Sequence, residues 1–411
     1  MMRSMFAAIS GLKNHQTFMD VVGNNIANVN TTGFKQSRVT FQDILSQTLR
    51  GASGPQGGRG GVNGEQIGLG VLVSGIDTIQ SQGTLQSTGK STDMAIQGDG
   101  YFVMSDGKEN MFTRDGAFDL ALDGTLASAS SGLHVLGWQA NPLTGVINTA
   151  VPPTNVTVPI GSGMTGKMST SLTVNGNLDS NNLGGAANAV TLSSTVYDAQ
   201  GNAVPVTWTF TKSAANTWGA VPTTAAAGVT VAGSSTITFN GAGKVATGGA
   251  GTLTLTLTNG ATSPEPVTVD FSQMTQLAST PSELSSNTDG ASAGSLTSFT
   301  VGQAGDITGI YSNGYKQPLG QIAMASFSNP SGLTKAGGNL FQASANSGTA
   351  NIGIPGAAGR GSIATGFLEG SNVDLAQQFT NMIMAERGFQ ANSKVITTSD
   401  EILMDLVNLK H

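Results

Sequence analysis

The sequence predicts a multidomain α+β chain, with terminal α-helices forming a coiled-coil domain and nested, discontinuous, mainly-β domains between them. Three observations predict it. Apolar residues recur at alternating spacings of three and four near both ends of the 411-residue chain. Between the ends the pattern changes to period two, in short runs broken by Asn-Gly, Asp-Gly and Gly-rich turns. Two stretches of like texture, at 100–141 and 305–329, flank a Thr- and Val-rich region that reads as an insert. The chain is also too long for one hydrophobic core.

In the first segment the repeat is Met5, Ile9, Leu12, Gln16, Met19, Gly23 and Ile26, a heptad seam with one polar and one small member. Ser4 caps this helix or sits in its first turn. Gly11 costs about 1 kcal/mol relative to alanine in a helix interior, so the helix is not optimised to stand alone. The last segment repeats the spacing through Leu375, Phe379, Met382, Glu386, Phe389, Ser393, Ile396, Asp400, Leu403 and Val407. Ser371 or Asn372 is its expected cap, with Asp374 in the first turn. From Asn372 to Lys410 such a helix is roughly 58 Å long and needs a partner along its length. Glu386, Ser393 and Asp400 suit a two-helix hairpin poorly, because it would bury them unpaired. A hairpin closing one chain on itself, helices that polymerise, an ordinary dimer and a membrane-surface helix all remain open on periodicity alone. Glu386 and Arg387 point to different sides of their helix, and Arg387 is placed to meet a carboxylate of a neighbouring helix or chain.

The segment after the first helix, VGNNIANVNTTGFK at 22–35, has the composition of a cap and turn: Asn24, Asn25, Asn28, Asn30, Gly33 and Phe34 mark it. GYFVMSDG at 100–107 reads as a strand with a turn. MFTRDGAFDLALDGTL at 111–126 reads as two strands around Asp115-Gly116, then a turn at Asp123-Gly124. A proline-rich boundary at 146–161 leads into the Thr-rich sandwich or barrel. The resulting expectation is a helical domain from 1–30 and 372–411, extended linkers at 31–70 and 359–371, a β core from 71–145 and 285–358, and an inserted outer β domain at 146–284.

Charged residues are only 10% of the chain, and the net charge is −6. The 18 Lys and Arg never cluster, which argues against nucleic acid as the main partner. The longest apolar runs are too short to span a bilayer, so membrane insertion is not expected. The N-terminus turns polar too soon for a signal-peptide core. The absence of cysteine excludes disulfides, zinc–thiolate sites and thiol catalysis. His15, His134 and His411 have no metal-ligand spacing, and no nucleophile elbow or phosphate loop stands out. The aspartates at 98–124 do not satisfy the calcium-loop pattern. No catalytic residue, cofactor site or metal site is therefore expected. A Thr-rich adhesin remains an alternative, although it leaves the paired terminal heptads unexplained.

ANVNTTGFK at 27–35 resembles the signature of the axial proteins of the bacterial flagellum, those of the rod, hook and hook–filament junction. Residues 68–104, YSNGYKQPLG within 306–320, and 366–409 also resemble segments of that family, whereas 146–284 is looser. The resemblance implies a structural subunit that polymerises with copies of itself into a curved hollow tube. The tube would transmit torque from rod to filament and enclose the export channel. Terminal helices would form its inner layer, and the asparagine segment would link them to the outer domains. Implied partners are a distal rod protein, the hook–filament junction protein, a cap and the flagellar type III export apparatus, with a final place beyond the cell envelope. In the family, the distal rod member is expected to have a similar core without so large an insert.

Overall fold

The computed structural model describes residues 2–408 except 56, 59, 143, 162, 165 and 279–282. Helix α1 (Met2–Ala27) runs antiparallel to α2 (Leu375–Asn408), as close approaches at Gly11 to Asn392 and at Gly388 to His15 require. Ser4 lies in the first turn of α1. The cap of α2 is Asp374, whose Oδ1 accepts from the backbone N–H groups of Ala376 (2.9 Å) and Gln377 (3.2 Å). Asn372, an expected cap, is engaged elsewhere. The helix thus starts at Leu375, the first heptad position, and not at the expected cap Asn372, and its described part spans roughly 51 Å.

Within residues 31–70, expected as an extended linker, three strands take part in a β-ribbon. Strand β1 (Ser37–Asp43) pairs with β4 (Val71–Thr78), with a register shift between Thr40 and Phe41. Beyond them, β2 (Ser46–Arg50) pairs with β3 (Glu65–Gly68), and the Gly-rich stretch lies between those two strands. The base of the ribbon is fixed to α1. Asn14 donates to the Val71 carbonyl at 2.6 Å, Ser10 accepts from the Val71 N–H at 3.3 Å, and Phe41 meets Phe18 edge-on at 5.8 Å.

The chain divides into two units, the first comprising 1–158, 300–308 and 318–411. Its β core interleaves segments far apart in sequence. The strand Tyr101–Ser105 pairs with Asn110–Thr113, with His134–Gln139 and with Met324–Ser326. Tyr101, Phe112 and Phe341 are buried, and Phe112 and Tyr101 meet Phe327 edge-on. The two strands expected around Asp115-Gly116 are present as Asn110–Thr113 and Phe118–Leu120, but each pairs with a different neighbour. Asn110–Thr113 turns back on Tyr101–Ser105 instead, and Phe118–Leu120 pairs with Leu126–Ser128 across the Asp123-Gly124 turn. Asp106 forms the first of these turns, the one read in GYFVMSDG, by accepting from the N–H groups of Lys108 and Glu109.

The second unit comprises 159–299 and 309–317, against an expected insert at 146–284. It is a sandwich. One sheet runs from Val190–Tyr197 through Ala203–Ala214, Thr217–Thr223 and Ser235–Phe239 to Val245–Thr247. The other is organised about Ser171–Asp179, which pairs in parallel with Glu265–Asp270 and Met274–Leu277. Alternating burial along Ala203–Ala214 sends Val204, Val206, Trp208 and Phe210 into a shared core with Phe271 and Trp218.

One buried acid in this unit has a testable consequence. Glu265 is 1% exposed, and no protein donor reaches either carboxylate oxygen. Burial, with Asp198 nearby, pushes its carboxyl up to about 7. Burial also raises Asp198, but donors from Asn202, Asn259 and Gln200 outweigh it and hold that carboxyl below the usual range. Glu265 therefore binds a proton more tightly folded than unfolded. Its contribution is fully present below its ordinary value near 4.5 and is lost as pH rises through about 7. The Tm of the second unit is expected to fall between pH 5 and 8, and Glu265→Gln to flatten that dependence and raise Tm at pH 8. Unchanged pH dependence in the variant would refute the assignment.

Candidate functional site: the helix pair and its joint

The residues buried along the α1–α2 pair are mostly small or polar, with Val22 the larger apolar exception. Ala8, Gly11, Asn14, Val22 and Asn25 of α1 are buried, as are Gln378, Ala385 and Ser399 of α2. A Cβ at Gly11 would lie 2.7 Å from the Asn392 amide nitrogen, and one at Gly388 would fall on the His15 imidazole. Glycine at both places lets the helices approach.

The apolar heptad residues sit beside or outside this line. Met5, Leu12, Met19, Ile26, Met382, Phe389, Ile396 and Leu403 are half-buried. Ile9, Leu375, Phe379 and Val407 are exposed, Phe379 by 51%, and Phe6, Ile383 and Met384 share that exposure. Glu386 and Arg387 are exposed, and both bond to Gln390 on their own helix. Among the described residues neither joins an ion pair. His411 lies outside the described residues.

The asparagine segment divides by direction. Asn25 points inward, 1% exposed. Its Oδ1 accepts from the Ser37 N–H at 2.9 Å, and its Nδ2 donates to the Ser37 carbonyl (2.8 Å) and Gln378 Oε1 (3.2 Å). Gln378 donates to Gln36 Oε1 at 3.0 Å, the Gln36 N–H donates to Asn372 Oδ1 at 2.8 Å, and Asn372 donates to the Ile79 carbonyl at 2.9 Å. These amides tie the end of α1 and the start of α2 to the ribbon. Asn28 donates back to the Asn24 carbonyl at 2.9 Å and accepts from Thr31, closing the helix end. Asn30 is exposed.

Beside the amides lies a buried ionic cluster that sequence reasoning missed. Lys35 Nζ stands 2.6 Å from Glu369 Oε1, both side chains being fully buried, and also donates to the Ser81 carbonyl at 2.8 Å. Arg114 Nη1 is 3.4 Å from Glu369 Oε2, and the Gly83 N–H donates to Oε1 at 2.9 Å. The Gly33 N–H donates to the Glu369 carbonyl at 2.8 Å. Burial draws the Lys35 amine below the ordinary lysine value while Glu369 pulls it back. The Arg114 guanidinium stands 5.4 Å over the Tyr101 ring, whose phenol is pushed up to about 12 by burial. No motif pointed here: Lys35, Arg114 and Glu369 lie in separate stretches of the sequence and meet only in the fold.

Phe34 and Gly33, with Asn24 and Asn28, line a cavity of about 280 Å³ closed by Lys335 and the turn 337–341. Among the described residues, no group of three or more His, Asp or Glu is arranged to hold a metal ion. No described helix is long and apolar enough to cross a membrane.

The chain thus combines nested β domains with a terminal helical pair that leaves several large apolar side chains exposed. Four flagellar family descriptions match the chain: "Flagella basal body rod protein" at 5–35, "Flagellar hook protein FlgE/F/G D1 domain" at 95–179, "Flagellar basal body protein FlaE D2 domain" at 180–291, and "Flagellar basal body rod FlgEFG protein C-terminal" at 364–409. A Borreliella burgdorferi flagellar hook protein is 41% identical, with all of both chains covered. A Bacillus subtilis flagellar basal-body rod protein is 34% identical, again over the whole of both. A Helicobacter pylori flagellar hook protein structure shares the fold, with a TM-score of 0.53, 14% identity, and coverage of 69% of this chain and all of that one. The chain belongs to the flagellar hook and rod family of axial proteins. It is a structural hook subunit of the flagellum.

Proposed function

We propose that this chain polymerises through the outward faces of α1 and α2 into a curved hollow tube, with the helices inside and the β domains outside. The observation that carries the reading is the division of labour on the helices. Small and polar residues fill the seam within the chain, which leaves Phe6, Ile9, Leu375, Phe379, Ile383 and Met384 exposed. A tube built from copies side by side buries these against neighbours. Met5, Leu12, Met19, Ile26, Met382, Phe389, Ile396, Leu403 and Val407 extend the same contact, and Glu386 and Arg387 supply polar pairing between chains. The amide network and ionic cluster carry load between the helices and the β core. Outer surfaces of Thr, Ser and Asn exchange hydrogen bonds at about 1 kcal/mol each, which suits contacts that slide as a tube bends and turns as a universal joint. The bore serves as the export channel. The type III export apparatus delivers subunits to assemble beneath a cap, between a distal rod protein and the junction protein.

Phe379→Asp tests the reading. Burying a full phenylalanine contributes roughly 1.5–3 kcal/mol, so polymer yield is expected to fall by about tenfold or more. The β units should keep their unfolding midpoints, because Phe379 packs against neither. Wild-type elongation by Phe379→Asp, followed by electron microscopy, would reject the outward face as the interface.

A further inference from the structure

We propose that the cavity beside the asparagine motif receives the acidic end of α2 from a second copy of this chain. The inference rests on the polymer reading above and adds a head-to-tail contact to it.

The cavity offers donors without an anion. Asn24, Asn28, Phe34, Lys335, Gly338 and Asn339 are among its walls. Lys335 Nζ donates to the Lys35 carbonyl at 3.2 Å and to Ser37 Oγ at 3.1 Å, and stands 5.1 Å over the Phe34 ring. None of the ion pairs among the described residues includes Lys335. The amine is held in place by neutral acceptors and an aromatic face, with no carboxylate opposite it.

The end of α2 has the reverse imbalance. Asp400, Glu401 and Asp405 fall within its last three turns, all exposed, and among the described residues no basic residue occupies the last turn. A helix C-terminus already carries partial negative charge, so carboxylates there are unfavourable unless a cation comes from outside the helix. None of the three joins an ion pair among the described residues. Glu401 and Asp405 are one turn apart and share a face.

Geometry prevents one chain from satisfying both. The approaches of Gly11 to Asn392, His15 to Gly388 and Asn25 to Gln378 keep one constant antiparallel offset. That offset brings the start of α1 level with Glu401. Residues 402–408 therefore overhang α1 by roughly 10 Å, with Met404, Leu406 and Val407 exposed on them. The cavity lies at the other end of the pair, where α1 finishes and α2 begins. Copies stacked along the helix axis set the overhang of one against the cavity of the next, a heterologous contact that propagates rather than closes.

The test is a charge exchange in the full chain, scored by seeded elongation. Lys335→Glu is expected to slow elongation by about tenfold or more, as like charges are then opposed across the contact. Glu401→Lys with Asp405→Lys, at exposed positions that leave folding intact, should slow it comparably. The triple variant should recover to within about threefold of the unaltered chain. Because Lys335 also touches Phe34, the α2 variant guards against a mere folding defect. Wild-type elongation by the α2 variant, or a triple variant as slow as the product of its parts, would overturn the contact. Failure of the unaltered chain to elongate would overturn the polymer reading, and this contact with it.

Discussion

Glu369→Leu is expected to destabilise the first unit by about 3–5 kcal/mol, the range for removing one partner of a buried ion pair. Glu369 is the only anion of its cluster, and its fully buried carboxylate faces both Lys35 and Arg114. Leucine would leave two cations in a space closed to water, with the Gly83 N–H deprived of its acceptor. Lys35 has one escape, because burial already draws its amine down and a neutral amine still donates to the Ser81 carbonyl. Arg114 has none, since guanidinium does not deprotonate in proteins. Lys35→Met combined with Glu369→Leu should therefore be less destabilised than Glu369→Leu alone. Urea unfolding measures both. A loss under about 1 kcal/mol in the single variant would show the cluster to be no more than a surface pair in energetic terms.

Gly388→Val should open the helix pair and abolish elongation while leaving both β cores folded. The added Cβ falls on the His15 imidazole, which has little freedom to retreat: its ring is 6.3 Å from Phe41, and its Nδ1 is buried. Overpacking of this kind typically costs about 1–3 kcal/mol. That is a large fraction of what a seam of Ala, Gly, Ser and Asn can hold, since such residues bury little apolar area. Hydrogen exchange along α1 should accelerate, whereas amides in Tyr101–Ser105 and Ala203–Ala214 should not. Combining it with His15→Ala should recover part of the pairing. Retained protection of α1 in Gly388→Val would mean that the imidazole rotates away at little cost.

The helices and the nested strands were legible because each follows from a period. What periodicity did not reveal is which stripe each helix turns to its own partner. Met5, Leu12, Met19 and Ile26 form the conspicuous stripe, so they read as the seam. The actual seam, Ala8, Gly11 and Asn25 against Gln378, Ala385 and Gly388, has almost no hydrophobic signature. The intrusions of Gln16, Glu386, Ser393 and Asp400 into the apolar repeat were the clue that this stripe is not a sealed core. The joint was less legible still. Asn25 was marked by its motif, but Gln378, Gln36 and Glu369 join it only through a fold that brings residues more than three hundred positions apart together. At Asp115-Gly116 the flanking strands were legible but their partners were not, and the aspartate accepts from Thr32 at 3.0 Å.

The joint also bears on the order in which the chain becomes a finished object. Asn25 waits for Gln378, and Lys35 waits for Glu369, partners separated by 353 and 334 positions. Closure entropy rises only logarithmically with loop length, so the separation itself is thermodynamically tolerable. A chain ending anywhere before Glu369 still contains the residues of the sandwich, but it leaves a lysine and an arginine without their carboxylate and α1 without its mate. Such a fragment cannot build the paired helices that present the outer apolar face. Without that last stretch the joint has neither its carboxylate nor Gln378, so its two halves cannot close.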